Sequence, residues 1–95
     1  MLFSTAALYS GVAVVTAPTA AAYPQDCSAG TSSNSGWSYC RYGSGSHRVR
    51  VTCNNNLGSI YYRWGGWVGT GSYSTRACDS VYHKATGALV EKQGD

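Results

Sequence analysis

The chain has 95 residues, with seven Lys or Arg against four Asp or Glu and a formal net charge of +3. So modest a balance, with no basic run, excludes the dense phosphate-neutralising surface that nucleic acid requires. Low charge beside abundant Gly, Ser, Thr and Tyr also fits an extracellular β protein better than a cytosolic enzyme.

Taken in chain order, residues 1–22 carry no charge, and their apolar run Gly11–Ala17 is too short to cross a bilayer as a helix. Small residues at Ala20 and Ala22 have the spacing of a signal-peptidase site, which predicts a secretory leader over 1–22 and a mature chain from Tyr23. No second hydrophobic segment follows, so no membrane span is expected. All four cysteines, Cys27, Cys40, Cys53 and Cys78, lie beyond the leader. An even cysteine count in an exported chain predicts two disulfides. Their gaps of 12, 12 and 24 residues lack the closely spaced pair of a zinc site, and His47 and His83 sit in different segments, so no metal or other cofactor is expected. The remaining chain of about 73 residues buries only about 60% of its unfolded surface, a deficit that disulfides offset.

Residues 23–36, rich in Ser, Gly and Asn around Cys27, read as an extended arm. From residue 37 to 95 the pattern becomes one domain of short β segments separated by turn residues, with no helical period. The predicted strands are 37–42, 47–53, 59–64 continuing at 67–68, 72–78, 81–85 and 88–92, with a turn at Thr86-Gly87. The fold class is therefore all-β, a small antiparallel sandwich or meander of five or six strands stapled by two disulfides. In the hairpin 47–64, Val49, Val51 and Cys53 alternate with Arg48, Arg50 and Thr52, assigning one face to the core. A tight turn centred on Asn55-Asn56 pairs Val51 with Ile60, Val49 with Tyr62 and His47 with Trp64, placing Ile60, Tyr62 and Trp64 inward. Four cysteines allow three pairings. The inward position of Cys53 favours Cys27–Cys40 with Cys53–Cys78, and Cys27–Cys78 with Cys40–Cys53 is the alternative.

The four carboxylates, Asp26, Asp79, Glu91 and Asp95, are scattered, and no nucleophile elbow or converging acid–base pair is visible. That argues for a binding protein rather than an enzyme. On the outward face of the hairpin, the expected register sets Arg50 opposite Tyr61 and Arg48 opposite Arg63. Facing like charges destabilise a sheet, so they suggest an anionic partner; splayed guanidinium groups resting on Tyr61 are the simpler reading. In Trp64-Gly65-Gly66-Trp67 the glycine pair predicts a bend that re-aims the second tryptophan. Trp67 either packs in the core or, exposed beside Tyr73, forms a platform for a sugar ring or an anchor for a protein.

The run from Trp37 to Cys78 (W-x-x-C, H-R-V-R-V-x-C-N-N, R-W-G-G-W-V, S-x-x-x-x-C) resembles small exported actinobacterial proteins, compact disulfide-bonded β-sandwiches of mostly unassigned function. HRVRVTCNNNLG followed by GGWV is also similar to lactococcin-type bacteriocins, small secreted β proteins. The resemblances imply a secreted, non-enzymatic binding protein of microbial antagonism, either a bacteriocin-like effector or a subunit of a secreted toxin complex. The alternatives are an inhibitor of an extracellular hydrolase and a carbohydrate- or cell-wall-binding module. The expected partner is an extracellular protein or a cell-surface glycan, met by Arg48, Arg50, Tyr61, Arg63, Trp67 and Tyr73.

Overall fold

The computed structural model describes residues 22–95, so the leader assigned to 1–22 falls, but for Ala22, outside the described residues. Seven strands, and no helix among the described residues, build two sheets: β1 (Gln25–Ser32), β2 (Ser35–Tyr42), β3 (Ser46–Asn54), β4 (Ile60–Trp64), β5 (Val68–Gly69), β6 (Tyr73–Ala77) and β7 (Lys84–Gln93). The first sheet runs β1-β2-β6, and every pairing is antiparallel. In the second, β3 is central, with β7 along one side and β4 then β5 sharing the other. The protein is an all-β fold stapled by two disulfides, Cys27–Cys40 and Cys53–Cys78. Cys27 and Cys40 are directly opposed across β1 and β2. Cys53–Cys78 joins β3 to the residue after β6 and so ties one sheet to the other. Each closes a loop whose entropy in the unfolded chain is worth about 3 kcal/mol.

Three local expectations change. The segment read as an arm is β1 and the first residues of β2, hydrogen-bonded into the sheet, because its alternating Cys27-x-Ala29 faces inward against Cys40 and Ser38. The segments 81–85 and 88–92 are not separate strands. One strand, β7, starts at Lys84, and Thr86-Gly87 lies within it, where its register with β3 shifts between Thr52 and Cys53. The register of the β3–β4 hairpin also moves: Val51 opposes Arg63 and Cys53 opposes Tyr61, in place of the expected Val51–Ile60 and Val49–Tyr62. The turn is wider than its asparagines suggested. Asn54 Oδ1 accepts from Asn56 N at 2.8 Å, and Asn55 Oδ1 accepts from Leu57 N and Ser59 N at 2.8 and 3.1 Å, holding an open loop up to Ser59. The shift is by an odd number of residues, so it inverts every side chain of β4. Ile60, Tyr62 and Trp64 face outward, and Tyr61 and Arg63 face the other way.

The core between the sheets is built of small side chains. Val49, Val51 and Cys53 of β3 cluster with Cys78 and Ala85, facing Gly36 of β2 at Val51, and Ser38, Cys40 and Ser74 are buried as well. A Cβ placed on Gly36 would stand 2.7 Å from Val51 Cγ2, so glycine is what lets the sheets come this close. Polar atoms inside are paired across the gap. His47, fully buried, lies with Nε2 2.9 Å from the Ser72 carbonyl, which only accepts. Nε2 therefore carries the proton, and Nδ1 accepts from Ser38 Oγ at 2.8 Å. Ser74 Oγ donates to the Gly66 carbonyl at 2.7 Å and accepts from Val49 N at 3.2 Å. It thereby supplies the acceptor that β3 lacks where the Gly65-Gly66 bend separates β4 from β5. The Ser38–His47 pair has the connectivity of a hydroxyl and its base, but complete burial keeps it from any substrate.

Gly36→Val is expected to force the sheets apart and cost about 1–3 kcal/mol, the usual penalty of overpacking. Ser74→Ala strands the buried Val49 N–H, frees the Gly66 carbonyl and costs about 1–3 kcal/mol. Urea-unfolding midpoints of both variants against the parent check these values.

Candidate binding surface

Two groups of large aromatics lie on the two sheets, Tyr62, Trp64 and Trp67 on the second and Trp37, Tyr39 and Tyr73 on the first, while Tyr61 packs against the core. On the outer face of the second sheet, β3 presents Arg48, Arg50 and Thr52, β4 presents Ile60, Tyr62 and Trp64, and β7 presents Leu89 and Glu91. Trp67, carried back by the bend at Gly65-Gly66, joins them. A Cβ at Gly65 would meet Ser74 Oγ at 2.5 Å, so this bend is packed directly on the core. Tyr62, Trp64 and Trp67 remain 45%, 40% and 41% exposed, with Ile60 and Leu89 half-exposed beside them. These side chains share one sheet face, with Arg48 and Arg50 set among them.

Two arginines organise it. The Arg48 guanidinium carbon lies 4.5 Å from the Trp67 ring centroid and 5.8 Å from that of Trp64. Its Nε donates to Glu91 Oε1 at 2.9 Å, and Trp64 Nε1 donates to Glu91 Oε2 at 3.2 Å. Arg48, Glu91 and the two tryptophans thus hold one another in place. These hydrogen bonds, from Arg48 first and then from Trp64, keep the Glu91 carboxyl below the usual carboxylate range. Arg50 lies 5.0 Å from the Tyr62 ring centroid, between Trp64 on β4 and Leu89 on β7.

Of the six residues the sequence singled out, this face brings together three: Arg48, Arg50 and Trp67. Tyr61 and Arg63 leave it, because the hairpin register turns them to the other side of β4. The expected facing pair Arg48–Arg63 does not exist; Arg48 opposes Glu91, and Arg63 opposes Val51. Arg63 instead grips Asp79, with Nε to Oδ1 at 2.8 Å and Nη2 to Oδ2 at 2.5 Å, and lies over the Tyr61 ring. Tyr61 Oη accepts from Asp79 N at 2.9 Å and is hydrogen-bonded to His83 Nδ1 at 2.5 Å. This cluster fastens the loop after Cys78 to β4, beside the Cys53–Cys78 bridge. Arg63 is the first cause of the lowered Asp79 pKa, and Asp79 in turn raises that of Arg63.

Tyr73 is on the first sheet, 4.7 Å from the Tyr39 ring and 5.8 Å from that of Trp37. It does not pair with Trp67. Tyr62 and Trp64, assigned to the core from the sequence, are functional candidates that the wrong register hid. Glu91 went unnoticed because only the β3–β7 pairing, distant in sequence, places it beside Arg48. No group of three or more His, Cys, Asp or Glu among the described residues is placed to hold a metal ion, and no described helix is long and apolar enough to cross a membrane.

The lowered carboxyl pKa values fix the sign of a pH effect. A carboxylate whose folded pKa is depressed stabilises the fold above its unfolded value, and that contribution is lost as pH falls through the folded one. Stability is therefore expected to drop on acidification below about pH 4, where unfolded carboxyl groups titrate. Asp79→Asn and Glu91→Gln each lower stability at neutral pH and flatten that drop, with all three proteins converging near the acid limit. Urea midpoints measured across this range provide the check. Compared with known proteins, the chain matches no protein-family model, no curated protein and no solved structure.

Proposed function

We propose that this chain is an exported, non-enzymatic binding domain that docks onto an extracellular protein through the outer face of its second sheet. Its residue resemblances point to microbial antagonism, as a bacteriocin-like effector or a subunit of a secreted toxin complex. The two disulfides are compatible with an extracellular setting, since such bonds persist where the environment is oxidising. The observation that carries the reading is the patch itself: Tyr62, Trp64, Trp67, Ile60 and Leu89 exposed together on one face with Arg48 and Arg50 among them. Trp, Tyr and Arg are the residues that dominate protein-interface energetics. A contiguous exposed apolar patch is also uncommon on a monomer that has no partner.

A glycan-binding reading has one observation in its favour, the Trp37, Tyr39 and Tyr73 rings grouped on the opposite sheet. The second-sheet face suits a stacked sugar less well, because guanidinium groups already cover ring faces of Tyr62 and Trp67. An inhibitor of an extracellular hydrolase uses the same docking physics and differs only in the partner.

The test is capture of a partner from culture supernatant of competing bacteria by the immobilised protein. Trp64→Ala with Trp67→Ala is expected to lose the captured protein by a factor of about 30 or more, the cost of truncating central interface anchors. Tyr73→Ala, on the other sheet, is expected to keep it. Loss with Tyr73→Ala and retention with the tryptophan pair transfers the contact to the first sheet.

A further inference from the structure

We infer that Arg50 is a preorganised receptor for a carboxylate, so that the segment docking on the second-sheet face is an acidic stretch of the partner protein. This rests on the docking reading above and names the chemistry of its occupant.

Among the described residues, Arg41 is paired with Asp26 at 3.2 Å, Arg48 with Glu91 at 2.9 Å and Arg63 with Asp79 at 2.5 Å. Arg50 stands apart. Among these residues it makes no ion pair and no hydrogen bond; it rests on the Tyr62 ring and lies within electrostatic reach of Glu91, whose carboxylate is bonded to Arg48 and Trp64 instead. Its Nε is buried without an acceptor, so the stem is packed down while the cationic group rests on the ring. A guanidinium fixed in this way has lost its side-chain freedom in advance and retains unused donors in a planar fork. Its position is central: Trp64 flanks it from β4, Leu89 from β7 and Arg48 lies two residues along the same strand. Glu91, the carboxylate of this face, is already held by Arg48 and Trp64 Nε1. At the rim, Arg76 donates to the Trp64 carbonyl at 3.1 Å and adds a further positive charge. The face therefore presents Arg48 and Arg50 against the single carboxylate of Glu91 around an aromatic patch, with Arg76 at its rim shared with Asp79. The complementary surface is one that brings carboxylates with apolar neighbours, as an Asp- or Glu-containing segment does.

The experiment titrates the intact protein with poly-L-glutamate, following tryptophan emission from Trp64 and Trp67, with polyglutamine and polygalacturonate as comparison probes. Polyglutamate is expected to bind and polyglutamine not to. Arg50→Gln is expected to weaken polyglutamate binding by about tenfold or more, as loss of a charge-assisted contact does. Arg41→Gln, on the other sheet, removes the same formal charge and is expected to leave binding within about twofold, which separates a site from net charge. Arg50→Lys keeps the charge without the fork and is expected to fall between the two; thermal melting confirms that each variant is folded. Equal weakening by Arg50→Gln and Arg41→Gln overturns the assignment, as does binding of polygalacturonate without polyglutamate, which makes the occupant an acidic glycan. If the captured partner is lost by the tryptophan pair but kept by Arg50→Gln, the docking face stands and the carboxylate receptor falls. If neither change affects capture, the docking face falls as well.

Discussion

The close approach of two sheets at Gly36 and Val51 is the constraint from which the rest of this structure follows. At that point there is no room for even a methyl group between β2 and the side chain of β3. The interior is accordingly filled by Val, Ser, Cys, Ala and Gly, with His47 the largest side chain that is completely enclosed. A core so thin buries little apolar surface, and a chain of this size has little to spare. Two covalent cross-links make up the difference, one inside the first sheet and one between the sheets. Buried hydrogen bonds from Ser38 and Ser74 add specificity, because a slipped register would leave their partners unpaired.

The surface follows from the register of β4 and the bend after it. Trp64, Trp67 and Tyr62 lie outside the gap, where Arg48, Arg50 and Glu91 organise them through cation–π and hydrogen-bond contacts. The bend at Gly65-Gly66 links interior to exterior. It seats its backbone on Ser74 and Val49, donates from Gly65 N to the Val49 carbonyl at 2.9 Å, and places Trp67 beside Arg48. Folding and presentation of the face are thus one arrangement. Anything that widens the core also moves the platform.

Much of this was legible from the chain alone. The alternation through Val49, Val51 and Cys53 marked the inward face of β3, and the inward position of Cys53 favoured the disulfide pairing that is found. The β4 face was misread for a definite reason. The Val/Arg alternation fixes which residues of one strand point inward, but the partner's phase depends on loop length, and hydrogen bonds from Asn54 and Asn55 lengthen that loop. An apolar count also misleads here, since Ile60, Tyr62 and Trp64 look like core residues. The hairpin register turns them outward and sets Tyr61 against the core in their place. The ion pair Arg48–Glu91 joins β3 to β7 and Arg63–Asp79 joins β4 to the loop after β6, and no local pattern announces either.

The outward placement of Trp64 and Trp67 by the β4 register and the Gly65-Gly66 bend is tested most directly by acrylamide quenching of native tryptophan emission in a Trp37→Phe background. Red-shifted emission from Trp64 and Trp67 is expected, quenched readily while the disulfides are intact and the protein is folded. Blue-shifted emission that resists the quencher would place these rings in the interior and contradict it.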